Sequence, residues 1–486
     1  MAAERTFLGH PRGLSTLFFT EMWERFSYYG MRAILILFMT APVTTGGLGM
    51  DAGTAGPIYG TYTAMVYMMS LPGGWFADRI LGQRRAVLYG GILIAAGHFS
   101  MAVPGLAFFY LGLFLIVLGT GLLKPNISVM VGQLYSQDDK RRDAGFTIFY
   151  MGINIGGFFS PFVCGYLGQQ INWHYGFAAA GVGMVLGLIQ YVLGARALGD
   201  AGMHPVGEAT PTAQRALERR ALIWVVGSLA VVGALGVGMA TGMLQVTPGQ
   251  IADAAGYLLL IVTVVFFGWL FLAGEWTPDE RSRLYVIGVF FLAAALFWSV
   301  FEQAGSTLNL FADRDTRNEF LGFGFPSSWF QSVNPIFIIV FAPMVAWIWL
   351  RLGSREPSSP LKFSLGLIGV GLGFILLIPA AELAAAGTKV SPMWLLSTYF
   401  IHTIAEICLS PVGLSSMTRL APARIVSLMM GVWFLAASVG NYIGGQLGGL
   451  YESLPLGALF GRVGLFAVGC GVLMWLLSKR FARMMK

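Results

Sequence analysis

The chain has 486 residues, 56% of them hydrophobic and only 11% charged, with a formal net charge of +7. A soluble globular domain carries about 25% charged residues, so an aqueous protein of this size is excluded and a lipid-facing surface is implied. The positive balance calls for no nucleic-acid partner, because the loop charges below account for it as a membrane orientation signal.

Apolar runs of about 20 residues recur, enough to cross a hydrocarbon core of about 30 Å as helix. Period-2 alternation is absent, which argues against a β-barrel. In chain order, spans are expected at 14–39, 54–77, 84–103, 107–130, 144–168 and 176–196. A polar linker follows at 197–220, then two apolar spans at 221–243 and 254–273. Six more are expected at 284–303, 328–350, 363–383, 393–416, 425–449 and 457–479. No cleavable signal peptide is expected, since the first span is too long and carries charges in its middle.

The basic residues fix the orientation. Arg79, Arg84, Arg85, Lys140 to Arg142, Arg215 to Arg220, Arg281, Arg283, Arg351 to Lys362, Arg419, Arg424 and Lys479 to Lys486 fall in alternate loops. With Arg5, Arg12 and Arg196, about 23 of the 30 basic residues lie on one side, as the positive-inside rule expects of the cytoplasm. The other side carries Arg314, Arg317, Lys389 and Arg462. Both termini are therefore expected in the cytoplasm, in a multi-pass protein of the plasma membrane. Cys164, Cys408 and Cys470 sit in apolar spans, with no disulfide or metal framework indicated.

The two spans after the linker have no ionisable residue in their cores. Setting them aside leaves six plus six, the arrangement of the major facilitator fold. The expected all-α organisation is an N-terminal six-helix bundle at 1–196, a cytoplasmic linker at 197–220, two additional helices at 221–278 and a C-terminal six-helix bundle at 279–486. Gly440, Gly444 and Gly448 permit close helix packing.

A charge inside a span costs several kcal/mol and marks function by default. The set here is Glu21, Glu24, Arg25, Arg32, Lys124, Glu302 and Glu406. Glu21, Arg25 and Tyr28 share one helix face, continued by Arg32. Counting about 1.5 Å of rise per residue puts Arg32 and Glu302 in the outer half. Lys124 lies in the inner half, with Glu406 near the middle. Arg32 can meet Glu302, and Lys124 can meet Glu406 or the Glu21-Glu24-Arg25 cluster. Taking one pair from the two halves at each level makes Arg32 with Glu302, and Lys124 with Glu406, candidate gate pairs. Tyr28, Tyr29, Tyr67, Trp298 and Trp433 are candidate lining residues. Asn154 and Asn334 are neutral hydrogen-bonding groups, and Asn334 precedes the helix-breaking Pro335.

Such a set suits a zwitterion. Cations hold a carboxylate, Glu406 an ammonium, amides a peptide bond, and aromatics variable side chains. A proton that neutralises one carboxylate releases its partner, which is a physical route to proton coupling.

Glu21-Met-Trp-Glu24-Arg25-Phe26-Ser-Tyr28-Tyr29-Gly30 resembles the E-x-x-E-R-F-x-Y-Y signature of the proton-dependent oligopeptide transporter family. Phe149-Tyr150-Met-Gly-Ile-Asn154-Ile-Gly156 resembles its F-Y-x-x-I-N-x-G signature. Gly74 to Arg85 resembles the loop between helices two and three of the wider major facilitator superfamily. Trp298 to Glu302, Asn334-Pro335 and Glu406 to Pro411 extend the match across the chain. The resemblance implies import of di- and tripeptides with protons as coupling ion, no other cofactor, and action as a monomer. It implies coupling roles for Glu21, Glu24 and Arg25. Glu406, Asn154 and Asn334 would contact the peptide amino end, and Arg32, Lys124 and Tyr28 its carboxylate. Tyr67, Trp298, Ser410 and Trp433 complete the expected substrate set. Animal members have a histidine where this chain has Gly60, and a long extracellular domain where 383–393 is short, so the resemblance is to the prokaryotic type, in a bacterial inner membrane.

Two other readings remain. A same-fold transporter of nitrate or another anion would use Arg32 and Lys124, but gains nothing from Glu406. An intramembrane hydrolase would use Ser410, Glu406 and His402, which recur every four residues on one helix, but no glycine-elbow serine or H-E-x-x-H accompanies them.

Overall fold

The computed structural model describes residues 6–136, 138–205, 210–320, 322–426 and 428–485. Its long helices are α1 (Gly13–Thr40), α2 (Ala52–Met68), α3 (Gln83–Met101), α4 (Leu106–Gln133), α5 (Arg142–Ser160), α6 (Trp173–Gly194) and α7 (Pro211–Ala240). They continue as α8 (Pro248–Gly268), α9 (Pro278–Phe301), α10 (Val333–Leu352), α11 (Ser359–Leu376), α12 (Met393–Leu420), α13 (Leu428–Gly448) and α14 (Leu456–Met484). Among the described residues, 11 helices, all from α4 onward, are long and apolar enough to cross a membrane. The first three complete the 14, each falling short for a local reason. Four charges sit inside α1. The regular part of α2 stops after 17 residues, and α2 then runs on through Ser70–Phe76 and a π-turn at Ala77–Leu81. Two arginines open α3.

Local chemistry sets many of the ends. Asp51 caps α2 by accepting from the Thr54 amide at 2.7 Å. Thr247 with Gln250, and Thr277 with Glu280, form capping boxes at α8 and α9. The expected linker overlaps a helix, because α7 already starts at Pro211, and Arg215 to Arg220 ride on its first turns. Glu302 does not simply end α9. The helix relaxes into a 3-10 turn at Glu302–Gly305 and resumes at Thr307–Arg314.

In the N-terminal half, α1 packs on α5 and α6, and α3 on α4. In the C-terminal half, α11 packs on α12 and α14, and α9 on α13. The halves meet where α2 lies along α13 and α5 meets α10. The α2–α13 seam is backbone against backbone. A Cβ at Gly60 would stand 2.5 Å from the Cα of Gly445, and one at Gly56 would stand 2.8 Å from the Gly445 carbonyl oxygen. On the lipid side of this seam lies α8, touching both helices, with Gly256 making room for the Tyr442 ring. The side chains of α7 are largely exposed.

Candidate substrate and coupling site

Buried charges line the face of α1. Glu24 is fully buried, and Glu21 and Arg25 almost so. Arg25 Nη2 donates to Glu24 Oε1 at 2.7 Å, and its Nε lies 3.4 Å from Glu21 Oε1. The Tyr28 ring centre stands 5.0 Å from the same guanidinium. Two carboxylates thus share one cation, and Glu21 Oε2 has no hydrogen-bond partner among the described residues.

Two turns further out, Arg32 Nη2 meets Glu302 Oε2 at 2.5 Å, across the two halves. Its Nε donates to the Tyr59 hydroxyl at 2.6 Å. The other expected pair is not closed in this conformation. Lys124 Nζ stands over the Tyr67 ring, 4.0 Å from its centre. Glu406 instead accepts from Asn334 Nδ2 at 2.9 Å, and Asn334 also donates to Thr403 at 3.1 Å. Asn154 spends its amide on the Tyr150 carbonyl of its own helix at 3.0 Å. The structure joins Arg32 to Glu302, and it does not bring Lys124 and Glu406 together.

Trp298 and Trp433 stand edge to face with centres 6.4 Å apart. Trp433 leans on Gly413, whose missing side chain leaves it space. Ser410 is half-buried on α12. His402 turns away to α11, where Nε2 stands 3.1 Å from the Val370 carbonyl and the ring stacks on Phe374. The Ser410, Glu406 and His402 stripe is therefore not a catalytic group, since His402 and Glu406 bond to different helices.

On the outer side the halves are bonded together. Gln169 donates to Ser327 at 2.7 Å and accepts from the Ser328 amide at 3.0 Å. Asn309 donates to the Ala33 carbonyl at 2.8 Å, and Glu452 accepts from the Ala52 amide at 3.0 Å. Among the described residues α4 and α12, which carry Lys124 and Glu406, are not packed together. The bonds between the halves described here thus lie at the end that holds Arg32 and Glu302.

With this geometry in view, the sequence profile of the POT family matches residues 84–459. The chain belongs to the POT family. A similar relative is the peptide transporter YePEPT of Yersinia enterocolitica, 42% identical over 99% of this chain and 96% of the relative. Another is a di-/tripeptide transporter of Lactococcus lactis, 37% identical over 99% of this chain and 98% of that one. A crystal structure of a POT peptide transporter in complex with sulfate superposes with a TM-score of 0.93, at 44% identity, covering 99% of this chain and 97% of that one. POT relatives are transporters, and this chain is a membrane transporter rather than an enzyme.

As a POT member with two moving halves, the chain makes Arg32 and Glu302 testable by cross-linking. Cysteines placed at both positions are expected to cross-link readily when the inside is open and poorly when the outside is. A yield indifferent to state would make the pair a permanent tie.

Proposed function

We propose that this POT member is a proton-coupled symporter that imports di- and tripeptides by alternating access, acting as a monomer in a bacterial inner membrane. The observation that carries this is the opposition of charge across the two halves. Arg32 and Lys124 present cations from α1 and α4, while Glu406, held by Asn334, presents a carboxylate from α12. A zwitterion would meet a cation at one end and a carboxylate at the other.

In this reading residues 1–196 and 279–486 form the two halves, joined through the 197–220 linker and the additional pair at 221–278. Arg32, Lys124 and Tyr28 take the peptide carboxylate. Glu406, Asn154 and Asn334 take its ammonium and amide. Tyr67, Trp298, Ser410 and Trp433 border the side chains. Glu21, Glu24 and Arg25 carry the coupling, and Arg32–Glu302 and Lys124–Glu406 close alternately as outer and inner gates.

One observation favours a second ligand. Lys124 has no carboxylate partner among the described residues, so a lone anion such as nitrate would also find a cation there. Uptake into proteoliposomes separates the two. An acid-outside gradient should drive accumulation of di- and tripeptides, with nitrate failing to compete. Accumulation of nitrate, or peptide uptake indifferent to the gradient, would overturn the proposal.

A further inference from the structure

Tyr59 has no part in the roles above, yet it is buried to 2% exposure and its hydroxyl touches the outer gate. A guanidinium is a rigid planar fork, so fixing Nε fixes where its other nitrogens point. With Nε bonded to Tyr59, Nη2 is left aimed at Glu302. Arg32 and Tyr59 both belong to the N-terminal half and stay together when the halves part. Glu302 belongs to the other half and leaves.

The Tyr59 hydroxyl also faces Gly305, at the end of the same 3-10 turn that starts with Glu302. A Cβ at Gly305 would stand 2.8 Å from both Arg32 Nε and Tyr59 Cζ, and closer still to the phenol oxygen. Gly305 has a negative φ, so its backbone conformation does not require glycine. Space does. The turn is therefore notched where the phenol enters, and notch and carboxylate approach Arg32 as one unit.

We propose that Tyr59 is a positioning residue of the outer gate and that Gly305 is the notch that receives it. Tyr59 keeps Arg32 oriented while Glu302 is away, so closing the gate needs no search by a long flexible cation. Gly305 lets the turn come close enough for the ion pair to form. This rests on reading Arg32–Glu302 as a gate, and the experiment separates the two ideas.

The readout is labelling from outside, with no substrate involved. Ser328 lies on the outer rim and is fully buried when the outside is closed. In the full chain with its three cysteines replaced by alanine, Ser328→Cys is labelled with a membrane-impermeant maleimide in right-side-out vesicles. Gly305→Ala should wedge the gate open and raise the labelling rate roughly fivefold or more, the lower end for coupling within a two-state system. Adding Tyr59→Phe to Gly305→Ala removes the colliding oxygen and should bring labelling back to the level of Tyr59→Phe alone. Tyr59→Phe alone should raise labelling modestly, and this arm remains decisive if Gly305→Ala does not fold. Unchanged labelling in Tyr59→Phe, or additive rather than compensating effects in the double variant, would overturn the proposal. Glu302→Gln is the control for the gate itself. If it raises labelling while the Tyr59 and Gly305 variants do not, the gate stands and Tyr59 has no role in it. If Glu302→Gln also leaves labelling unchanged, the gate reading fails.

Discussion

Glu24→Gln should abolish uptake driven by a pH gradient while leaving peptide counterflow largely intact. Glu24 is fully buried and bonded to Arg25, which also stands near Glu21. Two ionised carboxylates around one guanidinium leave a net negative charge in a low-dielectric site, and isolated charge there is expensive. In the proposed coupling role, a proton taken up by the cluster would balance that charge, and its release inside would complete the cycle. The glutamine keeps the shape and a hydrogen-bonding oxygen but cannot take part in the exchange. Counterflow moves peptide both ways without net proton movement, so it should survive. Paired measurements of gradient-driven uptake and counterflow in proteoliposomes test this. Equal loss of both would assign Glu24 to binding or folding.

Glu406→Gln should weaken free dipeptides by roughly 10- to 100-fold and leave an N-acetylated dipeptide, already weak, nearly unaffected. Glu406 is held by Asn334 at 2.9 Å with no cation against it among the described residues. A charge-assisted hydrogen bond contributes about 1.5–3 kcal/mol, and each 1.4 kcal/mol is a factor of about 10 in affinity. Blocking the ligand's ammonium removes the same contact from the other side, so the two changes should not add. Competition binding with both ligands on both proteins completes the cycle. Equal losses for the two ligands would mean that Glu406 works through Lys124 as a gate, and the zwitterion pocket would lose its main support.

The helices were legible because a bilayer demands long apolar runs, and the site was legible because lipid makes every buried charge conspicuous. Arg32 and Glu302, far apart in the chain, could be matched in depth by counting residues. The same logic failed where polarity misled. Arg314 reads from the sequence as a loop residue, yet it ends a helix, Thr307–Arg314, whose preceding residues are buried against α1 and the 327–332 turn. Pro211 to Arg220 looked like linker because a helix that need not be buried shows no apolar face. Tyr59, Thr403 and Gln331 were missed for another reason. They are neutral, and nothing in an apolar span says which face of the helix they occupy or what they meet. Gln331 donates to the Ala304 carbonyl at 2.7 Å and so helps hold the turn beside the outer gate, a role visible only in three dimensions.

The glycine seam between α2 and α13 also constrains how this chain can change. A side chain at position 60 would strike the Gly445 Cα, and one at 445 would stand 2.7 Å from the Gly60 nitrogen, so each position excludes a neighbour at the other. The histidine that animal members carry at position 60 cannot enter here by a single substitution, because a whole imidazole ring must fit where a methyl does not. The mutations have a forced order, with α13 displaced first and the ring admitted afterwards. Until that first step is taken, position 60 stays closed to a titratable ring in any chain that keeps this seam.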